Sequence, residues 1–427
     1  HSVAETTASP NPQLPEVEVT GKSYTRDNTP PVKEKYDLPQ TSQSTTSERI
    51  QETVNIVDTE DAIKYFPSLF VRKRNYGDTQ PVLATRTWGV NSSARSLVYA
   101  DDILLTALIA NNNTLGAPRW GLVTPEEIER IDFLYGPFSA AYPGNSAGGV
   151  LQISTKMPEK FSGSLSQTEA VQKFNRYGTK DTYQTDQTNL SLGGKNGPVA
   201  WLFTGGFQNS YSQPLSFVTL NPPNGSTVPA GTTGTILEKN KVGQSANVYG
   251  ASGLLHTEMT NLKGKFFWDV TDWLKATYQV GVWNNHANSD VQTYLRDAAG
   301  NATFGGVGAI KTTNSTSSGG GFANGFYTLD QTHLANALSL RTDTKGPFDW
   351  DLAFSNYYYL EDIQRNPFGV AATGLSYTTN GKIARLDGTN WTNVDFKGIW
   401  RPDDKNGAHE VSFGIHSDRK STRLNSS

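Results

Sequence analysis

Beyond about residue 160 the chain alternates between apolar and polar positions with a period of two. In residues 274–282 every even position is apolar and the odd positions are polar or glycine, and residues 348–355 alternate with their large side chains on one face. This period predicts β-strands, and the aromatic-rich face predicts a sheet whose two sides differ chemically.

The links between these predicted strands fall into two length classes that follow each other in turn. The short, turn-like links are residues 194–198, 270–273, 344–347 and 402–407, and the long links, rich in Gly, Asn and Thr, are about 212–258, 292–328 and 364–388. An up-and-down barrel places short turns at one rim and long loops at the other, as outer-membrane barrels do. Predicted strands such as 347–362 also exceed the ~9–11 residues that cross a bilayer. A soluble multi-sheet protein is the alternative, although such long loops are unusual there.

The first 46 residues are rich in Pro, Ser, Thr and Gln and nearly lack aromatic residues, which predicts a flexible tail. One island interrupts this composition by alternating acidic residues and valine: Glu16, Val17, Glu18, Val19 and Thr20. It is either a short strand that can extend the sheet of another protein or a linker fragment with chance alternation.

The sequence pattern of residues 47–157 predicts a compact domain of short helices and strands. We expect an amphipathic helix at 61–66, ended by Pro67, and a second helix that starts at Thr124 with Pro125 and Glu127 completing a capping pattern. Strands are predicted at residues 69–72, 83–86, 96–100, 131–135 and 149–154.

Composition excludes several classes of protein. The hydrophobic fraction is 36%, and no stretch approaches the ~20 apolar residues of a membrane-spanning helix. The net charge of −3 gives no electrostatic footprint for nucleic acid. With no Cys and six scattered His, the chain shows neither thiol chemistry nor metal-ligand spacing. We therefore expect no enzyme, no cofactor and no bound metal.

Several ordered motifs resemble the TonB-dependent outer-membrane receptors. Residues 61–72 are similar to the early plug motif of that family, 85–90 occupy the place of its Arg-Gly-Phe strand end, 98–105 that of its Asp-Gly strand, and 128–156 form the longest and most specific match. Within these motifs, Asp102 and Pro143 stand where glycine is common in the family. The resemblance implies an α+β plug domain inside an antiparallel transmembrane β-barrel in the bacterial outer membrane.

On this interpretation the chain divides into four parts. They are a flexible tail with a TonB box (1–46), a plug domain (47–157), the N-terminal part of the barrel (158–417) and a non-native tail (418–427). We count about nine strands, whereas closed bacterial barrels have an even number, so a truncated barrel is predicted. The polar, basic end resembles a translated sequencing adapter. Because the chain starts at His1 without a leader, we expect a signal peptide to have been removed or not included.

The family implies active import of a scarce solute. The solute binds between plug and loops, and TonB then pairs with Glu16, Val17, Glu18, Val19 and Thr20 and pulls, using the inner-membrane proton gradient. The expected partners are TonB, a small-molecule ligand and outer-membrane lipid. A ferric siderophore is the first choice, because the Pro-Gly insertion after Tyr142 and residues 155–158 resemble siderophore-type plugs. Cobalamin, haem, carbohydrate or another metal chelate are alternatives. A surface adhesin or carbohydrate-binding β protein would explain the aromatic residues and loops but leaves the plug motif unexplained.

Candidate ligand-binding residues follow from the same resemblance. Arg86 ends a plug strand that points toward the ligand in siderophore-binding members, and a guanidinium suits an anionic chelate; a salt bridge from plug to barrel is the alternative. Trp88, Asn91 and Trp120 are expected in apical loops, where they either line the pocket or serve as surface and packing residues. The basic run 72–74 is expected to be solvated or paired with acidic residues of the lumen.

Overall fold

The computed structural model describes most of the chain, namely residues 41–86, 88–112, 114–136, 141–220, 231–304, 310–312, 315–317, 320–344, 346–367, 381–403, 407–423 and 425–426. The predicted box at 16–20 lies outside these residues.

The N-terminal domain is built around one small sheet. Its elements are β1 (Ser42–Thr46), α1 (Ser47–Thr53), β2 (Leu69–Arg72), β3 (Val82–Thr85), β4 (Ser96–Ala100), β5 (Ile103–Leu104), β6 (Ile128–Tyr135) and β7 (Gly149–Thr155), with 3-10 turns at Thr59–Ile63, Ser93–Arg95, Trp120–Leu122 and Pro125–Glu127. The sheet order is β1-β6-β7-β4-β5, in which only β4 and β7 run parallel, and β2 pairs with β3 separately. The strands predicted at 69–72 and 96–100 are confirmed at those bounds.

The prediction of two α-helices in this domain is wrong, because each of the two segments forms a short 3-10 turn instead. The capping pair of Thr124 and Glu127 is present, but the helix that it starts ends after three residues. From Ile128 onward the backbone pairs with β7 instead, so sheet formation overrides the local helix signal. The helix expected at 61–66 is a 3-10 turn at Thr59–Ile63, capped by Asp58 and Asp61.

A larger antiparallel sheet follows. Its region contains β8 (Ser162–Arg176), β9 (Thr179–Asn196), β10 (Val199–Tyr211), β11 (Ser216–Leu220), β12 (Ile236–Lys239), β13 (Ser245–Asp269), β14 (Leu274–Thr293), β15 (Ile310–Thr312), β16 (Ser315–Ser317), α2 (Gly320–Ala323), β17 (Tyr327–Thr342), β18 (Phe348–Arg365), β19 (Ile383–Arg385), β20 (Asn390–Trp400), β21 (Val411–Ser421) and β22 (Asn425–Ser426). Nine strands form a continuous path, β8-β9-β10-β13-β14-β17-β18-β20-β21, which we call the wall. The predicted count of about nine strands is confirmed.

The two faces of the wall are inverted relative to a soluble sheet. Its buried face carries polar side chains, among them Gln187, Gln208, Asn261, Gln279 and Gln331. Its exposed face carries large apolar ones, among them Leu190, Phe203, Leu262, Leu338 and Phe354. On β14, Tyr278 is 44% exposed while its neighbour Gln279 is 1% exposed. A face of this kind is suited to lipid, and the polar face covers the N-terminal domain.

Strand ends define two rims. The turn rim carries the short links 197–198, 270–273, 343–347 and 401–410, and the loop rim carries the tight turn 177–178 and the long links 212–244, 294–326 and 366–389. The predicted alternation of link lengths is therefore confirmed. The first long link is shorter than expected, because β13 already begins at Ser245. Small residues such as Ala246, Gly250 and Ala251 hide the alternation of its first half.

None of the described helices has the length and apolar character that crossing a membrane demands.

The lipid-facing interpretation of the exposed face can be tested on β14. We expect Tyr278→Lys to lower the free energy of unfolding in lipid vesicles by about 2–4 kcal/mol, because a lysine is costly near the middle of an apolar belt. The matched control is Asn288→Lys, an exposed position on the same strand beyond the apolar residues, where the change should stay within about 0.5 kcal/mol. Equal losses in the two variants would contradict a lipid-facing surface.

Candidate functional site: the seam between the N-terminal domain and the wall

Near the turn rim, the wall holds the N-terminal domain through ion pairs of one polarity. Lys265 Nζ of β13 lies 2.7 Å from Asp101 Oδ2 and donates to Thr155 Oγ1 at 2.8 Å. Two further pairs complete the pattern: Lys263 Nζ is 2.5 Å from Glu127 Oε2, and Arg341 Nη2 of β17 is 2.6 Å from Asp102 Oδ1. In all three pairs, the wall supplies the cation and the domain supplies the carboxylate.

Burial and charge act differently on two of these carboxylates. Burial works to raise the pKa of Asp101, but Lys265 and Lys263 together with the bonds from Lys265 and Thr155 outweigh it, so the pKa lies below its usual value. Burial raises the pKa of Glu127 above its usual value despite the attraction of Lys263. The seam thus contains one carboxylate that its partners hold ionised and one that burial pushes toward the neutral form.

The contacts of Lys265 also fix the orientation of the domain. Lys265 lies near the end of β13 that leads to the turn rim, and it contacts Asp101 and Thr155 at the carboxyl ends of β4 and β7. Since β4 and β7 are parallel, both begin toward the loop rim. The described residues of the loops that precede them, 86, 88–95, 136 and 141–148, therefore face the loop rim.

Toward the loop rim the wall contacts the domain mainly through neutral donors on or just after β10. Gln208 Nε2 donates to Asp58 Oδ1 at 2.7 Å, Ser210 Oγ to the carbonyl of Tyr76 at 2.7 Å, and Gln213 Nε2 to the carbonyl of Arg74 at 2.9 Å. The two bonds to backbone carbonyls join neutral groups and are individually weaker than the ion-paired contacts near the turn rim, whereas the bond from Gln208 has a carboxylate acceptor.

A cluster of aromatic residues joins the domain to the other side of the wall. Tyr359 of β18 stacks on His333 of β17 with ring centroids 3.9 Å apart, and Trp391 of β20 stacks on Tyr357 at 4.7 Å. Trp391 Nε1 donates to the carbonyl of Leu104 at 2.9 Å. Arg119 Nε donates to Tyr359 Oη at 2.6 Å. The seam is therefore polar along β10 and β13 and at Arg341 of β17, and aromatic along β17 to β20.

Comparison with known proteins identifies the domain that this seam holds. The profile of the TonB-dependent receptor plug domain matches residues 34–150. The N-terminal domain is a TonB-dependent receptor plug domain.

The proteins that the chain resembles include receptors for ferric siderophores. Over 106 residues, which cover 19% of this chain and 14% of the relative, it is 33% identical to the ferric enterobactin receptor PirA of Pseudomonas aeruginosa. A crystal structure of the ferric enterobactin receptor PfeA of that organism matches 88% of this chain and 48% of its own, with 14% identity and a TM-score of 0.55. The structure of P. aeruginosa FpvA bound to pyoverdine matches 90% of this chain and 42% of its own, with 10% identity and a TM-score of 0.52.

The two structural matches concern the fold, and the chain spans about half the length of those receptors. They confirm the fold class expected from the sequence, a plug domain against part of an antiparallel receptor barrel. Members of this family are outer-membrane proteins, so the expected outer-membrane location is confirmed as well. The family consists of receptors and transporters. Among the described residues, no three His, Cys, Asp or Glu side chains are arranged to hold a metal ion.

Three of the four candidate ligand residues lie together in the plug loop that faces the loop rim. Arg86 is exposed, and its Nη2 donates to the carbonyl of Gly136 at 3.3 Å. Trp88 lies beneath Arg95, whose guanidinium carbon is 5.3 Å from the ring centroid, and Asn91 is exposed nearby. The structure places Trp120 apart from them: it is 4% exposed in the core and donates Nε1–H to the carbonyl of Pro81.

In the basic run 72–74, the ion pairs of Lys73 and Arg74 are formed with residues of the plug and not with the lumen face of the wall. Lys73 Nζ lies 2.7 Å from Asp58 and 2.8 Å from Asp61, and Arg74 is 2.6 Å from Asp78. All of these partners belong to the plug itself, because the turn after β2 folds back over the 3-10 turn at Thr59–Ile63. The expectation of acidic lumen partners was wrong for these two residues.

Sequence reasoning missed the lysines of the seam. Lys263 and Lys265 were visible only as polar positions of an alternating strand. Their partners, Glu127 and Asp101, are more than a hundred residues away, which no local pattern reveals. One signal in the sequence could have found them: the two lysines occupy alternate positions of a strand whose polar face is expected to be buried. Buried lysines require partners of opposite charge.

The buried pair of Lys263 and Glu127 makes a prediction about the stability of the plug. We expect Lys263→Met alone to lower the free energy of unfolding of the plug by about 3–5 kcal/mol, because it leaves a buried carboxylate without its cation. Adding Glu127→Gln should recover most of this loss, since an amide oxygen can still accept from Thr124 N, which Glu127 Oε1 binds at 2.7 Å. Denaturant titration of the intact protein measures both. The interpretation fails if the double variant is as unstable as the single one.

The lowered pKa of Asp101 predicts a pH dependence with a definite sign. An unfolded aspartate titrates near about 3.9, and in the folded plug Asp101 titrates below that. Its contribution is therefore fully present above about pH 4 and is lost as the pH falls through the lowered pKa. We expect the difference in plug melting temperature between the native protein and Asp101→Asn to shrink as the pH is lowered from 6 toward about 3.

The control for this measurement is Asp181→Asn, which changes an exposed aspartate beside the tight turn of the loop rim. That variant should follow the native protein at every pH. A difference for Asp101→Asn that stays constant with pH would show that the carboxylate charge does not stabilise the seam.

Proposed function

We propose that this chain is the plug and the first part of the barrel of an importer that takes up a ferric siderophore and is energised by TonB. The observation that carries the proposal is the seam. A plug lies on the polar face of the wall and is held near the turn rim by three ion pairs, Lys263 with Glu127, Lys265 with Asp101 and Arg341 with Asp102.

A polar seam suits a gate that must release and reform. Water replaces the hydrogen bonds that are lost when polar groups separate, so the net free energy of each contact is small compared with its strength in isolation. An apolar interface would instead expose hydrocarbon to water over its whole area at about 25 cal/mol per Å². A pull on the plug therefore opens the polar part of the seam, which lies along β10 and β13 and at Arg341 of β17, at the lower cost.

TonB recruitment is assigned to Glu16, Val17, Glu18, Val19 and Thr20. A segment that pairs as an added strand shares a pulling force among several backbone hydrogen bonds. The residues between this segment and β1 include three Pro and seven charged residues, a composition that suits an extended tether.

Two kinds of support favour a ferric siderophore as the cargo. The relative that is 33% identical over 106 residues is named a ferric enterobactin receptor. The plug loop toward the loop rim presents Arg86, Trp88 and Asn91, which combine a cation, an aromatic face and an amide. We assign these three residues to contact with an anionic iron chelate, since a guanidinium pairs well with anionic oxygen. Trp120 is left out because it is buried.

The proposal is tested by uptake in a receptor-deficient strain under iron starvation. The strain carries the intact gene and receives ferric enterobactin, ferric pyoverdine and other ferric siderophores one at a time. We expect growth on at least one of them, and we expect Val17→Pro to abolish that growth while binding of the same chelate is kept, because proline removes one ladder hydrogen bond from the added strand.

The control is Val3→Pro, a substitution in the tail outside the box, which should transport normally. If Val17→Pro lowers binding as much as uptake, the box assignment is overturned. Growth on haem, cobalamin or a carbohydrate, but on no iron chelate, would keep the importer and overturn the cargo.

A further inference from the structure

The plug segment between Leu105 and Arg119 forms a closed loop, described at residues 106–112 and 114–118, which we call the apical loop. The backbone N–H of Arg119 donates to the carbonyl of Leu105 at 2.8 Å and closes its base. At its far end, Ser93 Oγ donates to the carbonyl of Asn112 at 2.8 Å, and Ala94 N–H donates to Asn111 Oδ1 at 3.0 Å. The apical loop therefore lies against the 86–95 loop, which carries Arg86, Trp88 and Asn91.

The side chain of Arg119 ties this loop to the wall. Its Nη2 donates to the carbonyl of Leu115 in the loop at 3.1 Å, and its Nε donates to Tyr359 Oη of β18 at 2.6 Å. The two bonds point in different directions from one planar guanidinium. Moving the loop relative to the wall therefore breaks at least one of them.

The position of Arg119 is unusual for an arginine. It is 7% exposed, and within the described residues no carboxylate lies at ion-pair distance from it. Its hydrogen-bond partners are neutral, and the carboxylate of Asp362 attracts it only from farther away. Burying a cation with such partners is costly, so it persists only where the surroundings fix those partners well. An arginine whose role was only to fill space would be replaced by an apolar residue without loss.

The wall holds the side chain of Tyr359, to which Arg119 donates, in a fixed position. The ring of Tyr359 stacks on His333 with an angle of 3° between the planes. His333 Nε2 lies 3.0 Å from Asp362 Oδ2, which also accepts from Gln331 Nε2 at 2.8 Å. Tyr359 therefore has little freedom to follow a moving loop, and β17 and β18 act as a fixed reference for Arg119.

We propose that Arg119 is the positioning residue of the recognition surface: it sets the apical loop against the barrel wall and thereby fixes the loop that carries Arg86, Trp88 and Asn91. This role rests on the proposed function only in that the surface is taken to bind the solute. Arginine is required because its planar fork reaches both acceptors, whereas the single ammonium of lysine cannot hold the same two directions.

The test uses a property of the chain itself. These 427 residues contain no Cys, so within them Thr114→Cys places the one thiol on the exposed face of the apical loop for a nitroxide label. In the intact membrane protein we expect an immobilised spectrum. Arg119→Lys and Tyr359→Phe should each give a mobile component, and combining them should add little, because both break the same connection.

Tyr359→Phe keeps the ring that stacks on His333, so the wall should fold normally. The matched control is Tyr358→Phe, which removes a hydroxyl from the adjacent residue on the opposite face of β18 and should leave the spectrum unchanged. An immobilised label in Arg119→Lys, or an equal change in Tyr358→Phe, would overturn the proposal.

A second measurement separates this role from the proposed function. With ferric enterobactin as the probe, Arg119→Lys should weaken binding by about tenfold, as expected for the loss of one hydrogen bond to a charged group, while the maximal uptake rate at saturating probe is kept. If ferric enterobactin is not bound by the native protein, that chelate is excluded as the cargo, and the spectra still decide the role of Arg119. If it is bound and the affinity is unchanged in a variant with a mobile loop, the recognition role is wrong.

Discussion

The inverted polarity of the wall is the constraint on which the rest of the structure depends. A strand that faces lipid on one side must carry apolar residues there, and the period of two then places every polar residue on the other side. Gln208, Asn261, Gln279 and Gln331 are buried for this reason. A domain that covers such a face must supply partners for its polar groups, so the domain is held there by hydrogen bonds and ion pairs.

The seam meets this constraint in two ways. Along β13 and on β17 it uses cations of the wall against carboxylates of the plug, and along β17 to β20 it uses stacked rings whose polar atoms are paired. Asp101 adopts a positive φ of 50°, a region that non-glycine residues seldom occupy, yet its carboxylate binds both Lys265 and Thr155. The backbone strain at this turn is offset by a contact that glycine could not make.

The sequence predicts those features that depend on local patterns. Alternation located the wall strands, link lengths separated the two rims, and the cap at Thr124 and Glu127 was found at the right residues. What followed the cap was not predictable, because pairing between β6 and β7 decides it. The same limit applies to Trp120 and Lys263, whose environments are created by strands far away in the sequence. Placement of Arg86, Trp88 and Asn91 in one loop was within reach, since they are close together in the chain.

The order of the wall strands has a consequence for assembly. Each of the nine strands pairs with its neighbours in the path, so the wall can grow one hairpin at a time with small losses of chain entropy. The seam contacts described above instead join residues 110 to 287 positions apart, such as Trp391 with Leu104. The seam can close only after β13 to β20 are in place. During biogenesis, Lys263, Lys265 and Arg341 therefore face water without their partners. A cation on the polar face stays soluble in this state, whereas a large apolar side chain there would promote aggregation.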